Sequence, residues 1–231
     1  VSTARRFVEI LLVFAAFFLP GYAGQATIRA AAGQDLAPLM LQGILTGVPQ
    51  LLLMVYLVRI QPDWSPRRWG IARLEPLDAA RVAALGALCL AAALLVAALP
   101  RILPPAWGPF LLRGFRWTLR SPAQLPLAAA FSLVAGYREE FFFRAYLLAR
   151  LAEAGLPPWA GVALSTALFA AGHIYEGALG FLITGAIGLA LALVYLRTRN
   201  LHVVALAHGL YNTLGLAVGL LASPGAGPAA G

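Results

Sequence analysis

The chain has 231 residues, 61% hydrophobic and only 11% charged, with 17 basic against 9 acidic side chains and a net charge of +8. Soluble domains carry about 25% charged residues, so this composition cannot cover a core of that size toward water and excludes an ordinary soluble domain. Every basic residue is arginine, and the arginines fall mostly between apolar runs, where they mark membrane topology rather than a nucleic-acid surface.

Crossing a bilayer takes roughly 20 apolar residues. The first run that approaches this is Phe7 to Tyr22. Arg5 and Arg6 precede it and "GYAGQA" follows it, as in a cleaved signal peptide, but Glu9 inside it and the spans downstream favour a retained anchor. The second run is Ala37 to Val58, with Pro49 as an expected kink. The third is Val82 to Leu99, which contains the single cysteine, Cys89.

Between the third and fourth runs lies "PRILPPAWGPFLLRGFRWTLRSP", with Arg101, Arg113, Arg116 and Arg120 interleaved with Trp107, Phe110, Phe115 and Trp117. Its second half reads as an amphipathic helix lying in the membrane interface. A short extra span there is the alternative. The fourth helix runs from Gln124 to Arg150, the fifth from Trp159 to His173, the sixth from Ala178 to Leu196 and the seventh from Val203 to Ala222. "SPGAGPAAG" reads as a disordered tail. The expected fold is all-α, a polytopic membrane bundle of seven to eight helices. Residues 1–120 supply N-terminal helices and the interfacial segment, 121–222 a four-helix core, and 223–231 the tail. Gly185 and Gly188, and the GxxxG of Gly215 and Gly219, suggest close helix packing.

Arginine placement orients the bundle. Arg5 and Arg6, the loop from Arg59 to Arg81, Arg150, and Arg197 with Arg199 all fall on one side, which the positive-inside rule makes cytoplasmic. The loop holding Glu176 falls on the other.

Polar residues inside the spans carry the functional signal. An ionised side chain at mid-bilayer costs about 2.5–3.5 kcal/mol on insertion scales. Even so, "YREEFFFR" sets Glu139, Glu140 and Arg144 within one helix. Glu140 and Arg144 are four apart and share a face, so they pair. Glu139 lies about 100° round the helix and is left as the free carboxylate, able to take a proton from water. His173 closes the fifth helix, four residues after Phe169. His208 and Asn212 share a face of the seventh. At 1.5 Å per residue, Glu139 lies about 16 Å from the cytoplasmic end, His208 about 10 Å, Asn212 about 16 Å and His173 about 21 Å. Carboxylates, imidazoles and an amide from three helices thus fall in one layer, and a membrane tolerates them only around one another or a wet cavity. His202, at the start of the seventh run, reads as interfacial. Thr166, Thr184 and Thr213 are expected to bond back to their own helices.

No serine sits in a nucleophile context, and neither a zinc HExxH motif nor a phosphate loop is present. An acid, two imidazoles and an amide remain, a set that can activate water and hold an oxyanion. "EEFFFR" fits EExxxR, "FAAGH" fits FxxxH and "HGLYN" fits HxxxN, in that order on late helices. Over about Ser121 to Ala222 the chain resembles the CAAX protease and bacteriocin-processing (Abi) family of intramembrane endopeptidases, which includes the Ras-converting endopeptidases.

The resemblance implies Glu139 as general base helped by His173, with His208 and Asn212 holding the oxyanion. Glu140 and Arg144 would shape and charge-balance the site, and Phe169 would pack beside it. It implies an integral membrane enzyme of a bacterial or archaeal plasma membrane. Its partners would be a peptide or lipidated-protein substrate and the membrane lipids, with no nucleic acid. A metal-free reaction is expected over a zinc one, since His208 has an amide neighbour rather than a second strong ligand, and the cavity is expected to open to the cytoplasm. The alternative is a non-enzymatic scaffold or immunity protein, or a small transporter using the acids as a proton relay.

Overall fold

The computed structural model describes residues 3–30, 34–62, 64–71, 73–114 and 117–222, and all regular structure among them is helical. Arg116, Phe115 and the tail at 223–231 lie outside the described residues. The chain is an integral membrane helical bundle. On length and composition alone, Ala37–Arg59, Pro76–Ile102, Ile174–Thr198 and Leu201–Leu221 can each cross a bilayer, and Pro158–Ala171 is apolar but shorter.

The expected first span is broken. It forms α1 (Thr3–Phe17), α2 (Leu19–Ala23) and α3 (Gln25–Ala30). Pro20 enters the second piece at its first turn, and Gly24 caps it. Such residues are tolerated where neighbouring helices satisfy the freed backbone. Here Tyr22 OH donates to the Leu168 carbonyl, and Gln25 bonds the Ala171 carbonyl and the Tyr175 N–H, each at 2.9 Å.

α4 (Ala37–Arg59) is helical throughout with Pro49 inside it, and Asp35 Oδ1 accepts the Ala37 N–H at 2.9 Å at its start. α5 (Pro76–Ala97) begins with a capping box of Glu75 and Asp78. After it come α6 (Leu99–Ile102), one 3-10 turn and α7 (Gly108–Leu111). The interfacial helix expected in the second half of 101–120 does not form among the described residues. Pro104, Pro105 and Pro109 confine helix to single turns, since proline removes a donor and clashes with the preceding turn.

The central helix is α8 (Leu125–Glu140), a π-helical turn at Phe141–Tyr146, and α9 (Leu147–Glu153). Phe141, Phe142 and Phe143 are all buried, as befits a helix enclosed on every side. α10 (Pro158–Ala171), α11 (Gly177–Thr198) and α12 (Leu201–Ala222) complete the bundle. α8 packs on α4 and α12, α5 lies against α11 and α12, and α10 against α11 and α9.

Close packing comes from glycines other than the GxxxG pair. A Cβ at Gly136 would lie 2.6 Å from the Ala205 carbonyl oxygen, so α8 and α12 touch backbone to backbone, whereas Gly215 has nothing within 4 Å. Gly188 faces Phe169, where a Cβ would approach to 2.9 Å.

The helices alternate between two ends. At the arginine end, Arg150, buried to 4% exposure, pairs with Glu9 at 3.1 Å and Glu153 at 2.9 Å, and Tyr146 OH donates to Glu9 at 2.9 Å. Arg6 and Arg68 also reach Glu153. Arg150 thus belongs to a network tying α1 to α9. At the same end Asn200 Oδ1 accepts the His202 N–H at 3.0 Å, opening α12, and its Nδ2 donates to Asp78 at 3.1 Å. The opposite end is built from α3 and the segments 99–114, 117–120 and 174–177.

Candidate active site

Glu139 and Glu140 are neighbours in sequence and opposites in environment. Glu140 and Arg144 are both fully buried and pair through Oε2 and Nε at 3.0 Å. Glu140 Oε1 accepts from His208 Nδ1 at 3.0 Å, linking α8 to α12. Arg144 Nη1 donates to Ser165 Oγ at 3.1 Å, and that hydroxyl donates to the Phe143 carbonyl at 2.9 Å, linking the central helix to α10. The guanidinium stacks 4.8 Å above the Phe169 ring. Burying an ion pair stabilises only when its remaining hydrogen bonds are met; His208 meets one on Glu140 and Ser165 one on Arg144, while Arg144 Nη2 is buried without a hydrogen-bond partner.

Glu139 keeps 13% of its side chain exposed. It is not the unpaired carboxylate expected from spacing. Arg138 Nη2 donates to its Oε1 at 3.1 Å, and the other guanidinium arm reaches Gln50 on α4 at 3.2 Å. Adjacent residues point about 100° apart on a helix, but the long arginine side chain reaches back to close the gap, its guanidinium 5.4 Å from the Phe18 ring centroid. One oxygen of Glu139 remains for another partner.

His173 Nδ1 bonds the Phe169 carbonyl at 2.9 Å. A carbonyl only accepts, so Nδ1 carries the proton and the Nε2 lone pair of the neutral ring is left free. Phe169 lies between the two imidazoles, 5.1 Å from the His173 ring and 5.7 Å from that of His208.

Glu139, His173, His208, Asn212 and Phe169 all line one cavity of about 480 Å³. Glu140 and Arg144 stand behind its wall. His202 does not line it and bonds Tyr137 OH at 2.9 Å. Thr213 bonds back to Gly209 at 2.8 Å, Thr184 lines the cavity, and Thr166 Oγ1 is buried without a hydrogen-bond partner.

The cavity also has walls that motif spacing did not single out: Ser132, Trp117, Tyr175, Tyr211 and Glu176. Ser132 is seven residues before Glu139, so two helical turns put it on the same face. Glu176 follows His173 by three residues and was readable only as a loop acid.

The cavity lies in the half of the bundle away from the arginine end, bounded by Leu111, Leu112, Gly114, Trp117 and the turn at Tyr175–Glu176. With the arginine end cytoplasmic, as the positive-inside rule has it, this half would face the other compartment, whereas access from the cytoplasm is expected from sequence.

Residues 121–214 match the family model of Type II CAAX prenyl endopeptidase Rce1-like, so this stretch of the chain is similar to that family. That is a family of membrane peptidases. The matched stretch contains Glu139, Glu140, Arg144, Phe169, His173, His208 and Asn212. No curated protein and no solved structure matches the chain.

Proposed function

We propose that the protein is an intramembrane endopeptidase that hydrolyses a peptide bond with water activated by Glu139. The observation that carries this reading is the convergence of Glu139, His173, His208 and Asn212 from two helices and the end of a third on one cavity. Water held between Glu139 and the free Nε2 of His173 loses a proton to the carboxylate as its oxygen attacks the carbonyl carbon. The oxyanion takes hydrogen bonds from the Asn212 amide and from Nε2–H of a protonated His208, whose other nitrogen is anchored on Glu140. The proton then passes to the leaving nitrogen as the C–N bond breaks.

The site is read as metal-free. Of the potential ligands, Glu140 is held by both Arg144 and His208, and one oxygen of Glu139 by Arg138. No group of three or more His, Cys, Asp or Glu among the described residues is arranged to hold a metal ion. Residues 121–222 would form the catalytic core, and the substrate would be a peptide or lipidated protein presented within the membrane. The test is to incubate the purified protein with a prenylated CAAX peptide and with unmodified peptides, with and without a chelator, and read cleavage by mass spectrometry. Cleavage that survives the chelator and disappears in Glu139→Gln supports the reading. Unchanged biological function after Glu139→Gln would sink it in favour of a scaffold.

A further inference from the structure

A second carboxylate faces the cavity, and the hydrolytic reading leaves it without work. Glu176 sits in a 3-10 turn directly after His173, its backbone N–H bonded to the His173 carbonyl at 3.0 Å. It lines the same cavity as Glu139.

Its position is fixed by backbone packing. Gly177 has φ +82, and a Cβ there would fall 1.7 Å from the Arg113 carbonyl oxygen. A Cβ at Gly114 would fall 1.8 Å from the Glu176 carbonyl oxygen. The two segments therefore interlock through glycines that no other residue replaces. The Glu176 side chain lies over a third glycine: a Cβ at Gly180 would come within 2.3 Å of Glu176 Cβ. A carboxylate held this way is presented at a set place, unlike one on a loose loop.

The neighbours define what it would bind. Trp117, Tyr175 and Phe131 line the same part of the cavity. Trp117 donates to Tyr175 OH at 3.2 Å, and its ring is 5.7 Å from that of Phe131. A carboxylate beside aromatic faces is the chemistry that recognises an organic cation, by charge and by attraction to the ring quadrupole. A second, independent observation points to a ligand in this cavity. Ser132 Oγ is fully buried, lines the cavity and has no hydrogen-bond partner. A buried hydroxyl left so is costly, and a bound peptide amide would satisfy it.

We propose that Glu176 is the specificity carboxylate of this cavity, selecting peptides that carry a lysine or arginine near the cleaved bond over peptides that place a carboxylate there. This rests on the peptidase reading of the cavity. The test uses the full chain in detergent with a mixed library of hydrophobic peptides carrying Lys, Arg, Gln or Glu at varied positions, with the cut sites read by mass spectrometry. The readout is each protein's own ratio of basic to neutral peptides cleaved.

Wild type is expected to favour the basic members, and Glu176→Gln to lower that ratio roughly tenfold, the effect of losing one partly exposed charge pair. Glu176→Arg should turn the preference toward acidic members. An unchanged ratio in both variants, or a wild-type preference for acidic peptides, overturns the inference and leaves the peptidase reading standing. Cleavage of no library member and no CAAX peptide by wild type overturns both.

Discussion

His208 on α12 donates its Nδ1 proton to Glu140 on α8 at 3.0 Å, while Arg144 holds the other oxygen of the same carboxylate at 3.0 Å. Glu140 is thereby the shared anchor of a helix contact and of a cavity-lining imidazole. Its neighbour Glu139, tilted to the cavity, is relieved of structural duty.

Glu140→Ala should be damaging to stability. It strips the anion from a fully buried Arg144, and breaking a buried pair from one side costs about 3–5 kcal/mol. Thermal unfolding in detergent, with Glu139→Gln as the comparison, reads the difference. Equal unfolding temperatures for the two variants would contradict the division of labour.

Glu139→Gln preserves side-chain volume and still accepts from Arg138. Turnover should fall by about 10²–10⁴, the usual worth of a general base, with substrate affinity little altered. Steady-state kinetics on a cleaved peptide separates the two.

Asn212→Ala removes a proposed oxyanion donor without touching the Glu140 cluster. Loss of one such donor costs about 10²–10³ in turnover. The expected signature is a lower kcat at nearly constant KM. A raised KM alone would move Asn212 to ground-state binding.

The orientation can be read by labelling intact bacteria that express a Cys89→Ala background. Ile174 is exposed beside the cavity and Arg67 is exposed at the arginine end. A membrane-impermeant maleimide should modify Ile174→Cys from outside the cell and leave Arg67→Cys untouched until the membrane is opened. The reverse pattern would put the cavity on the cytoplasmic face.

Gly136→Ala adds one methyl group aimed at the Ala205 carbonyl oxygen, 2.6 Å away. Backbone cannot step aside cheaply, so a loss of about 1–3 kcal/mol is expected, in the range of overpacked cores. Gly215→Ala, which meets open space, serves as the control and should unfold like the parent.

Much of this was legible in advance, for stated reasons. Apolar run length marks α4, α5, α11 and α12 because a bilayer sets a minimum length. The i,i+4 spacing announces the Glu140–Arg144 pair because helix geometry alone brings those side chains together. What stayed hidden depends on tertiary partners. Tyr22 and Gln25 stabilise a broken first helix only because Leu168 and Ala171 stand opposite. The Arg138 guanidinium that reaches Glu139 lies over Phe18 from the broken first helix and bonds Gln50 from α4. Glu176 reads as a loop acid until Arg113 and Gly114 fold beneath it. The interfacial helix stayed absent among the described residues for a tertiary reason too, since Gly114 in its expected stretch packs backbone to backbone against Glu176.

The wide turn at Phe141–Tyr146 separates two jobs on one rod. An inserted residue resets the angular phase of everything after it. Upstream, Ser132 and Glu139 look into the cavity; downstream, Arg150 looks toward Glu9 and Glu153. Each half can therefore keep its own set of partners without dragging the other round. Excising a single residue from that turn would swing one half out of phase with its partners, so its length matters as well as the side chains it carries.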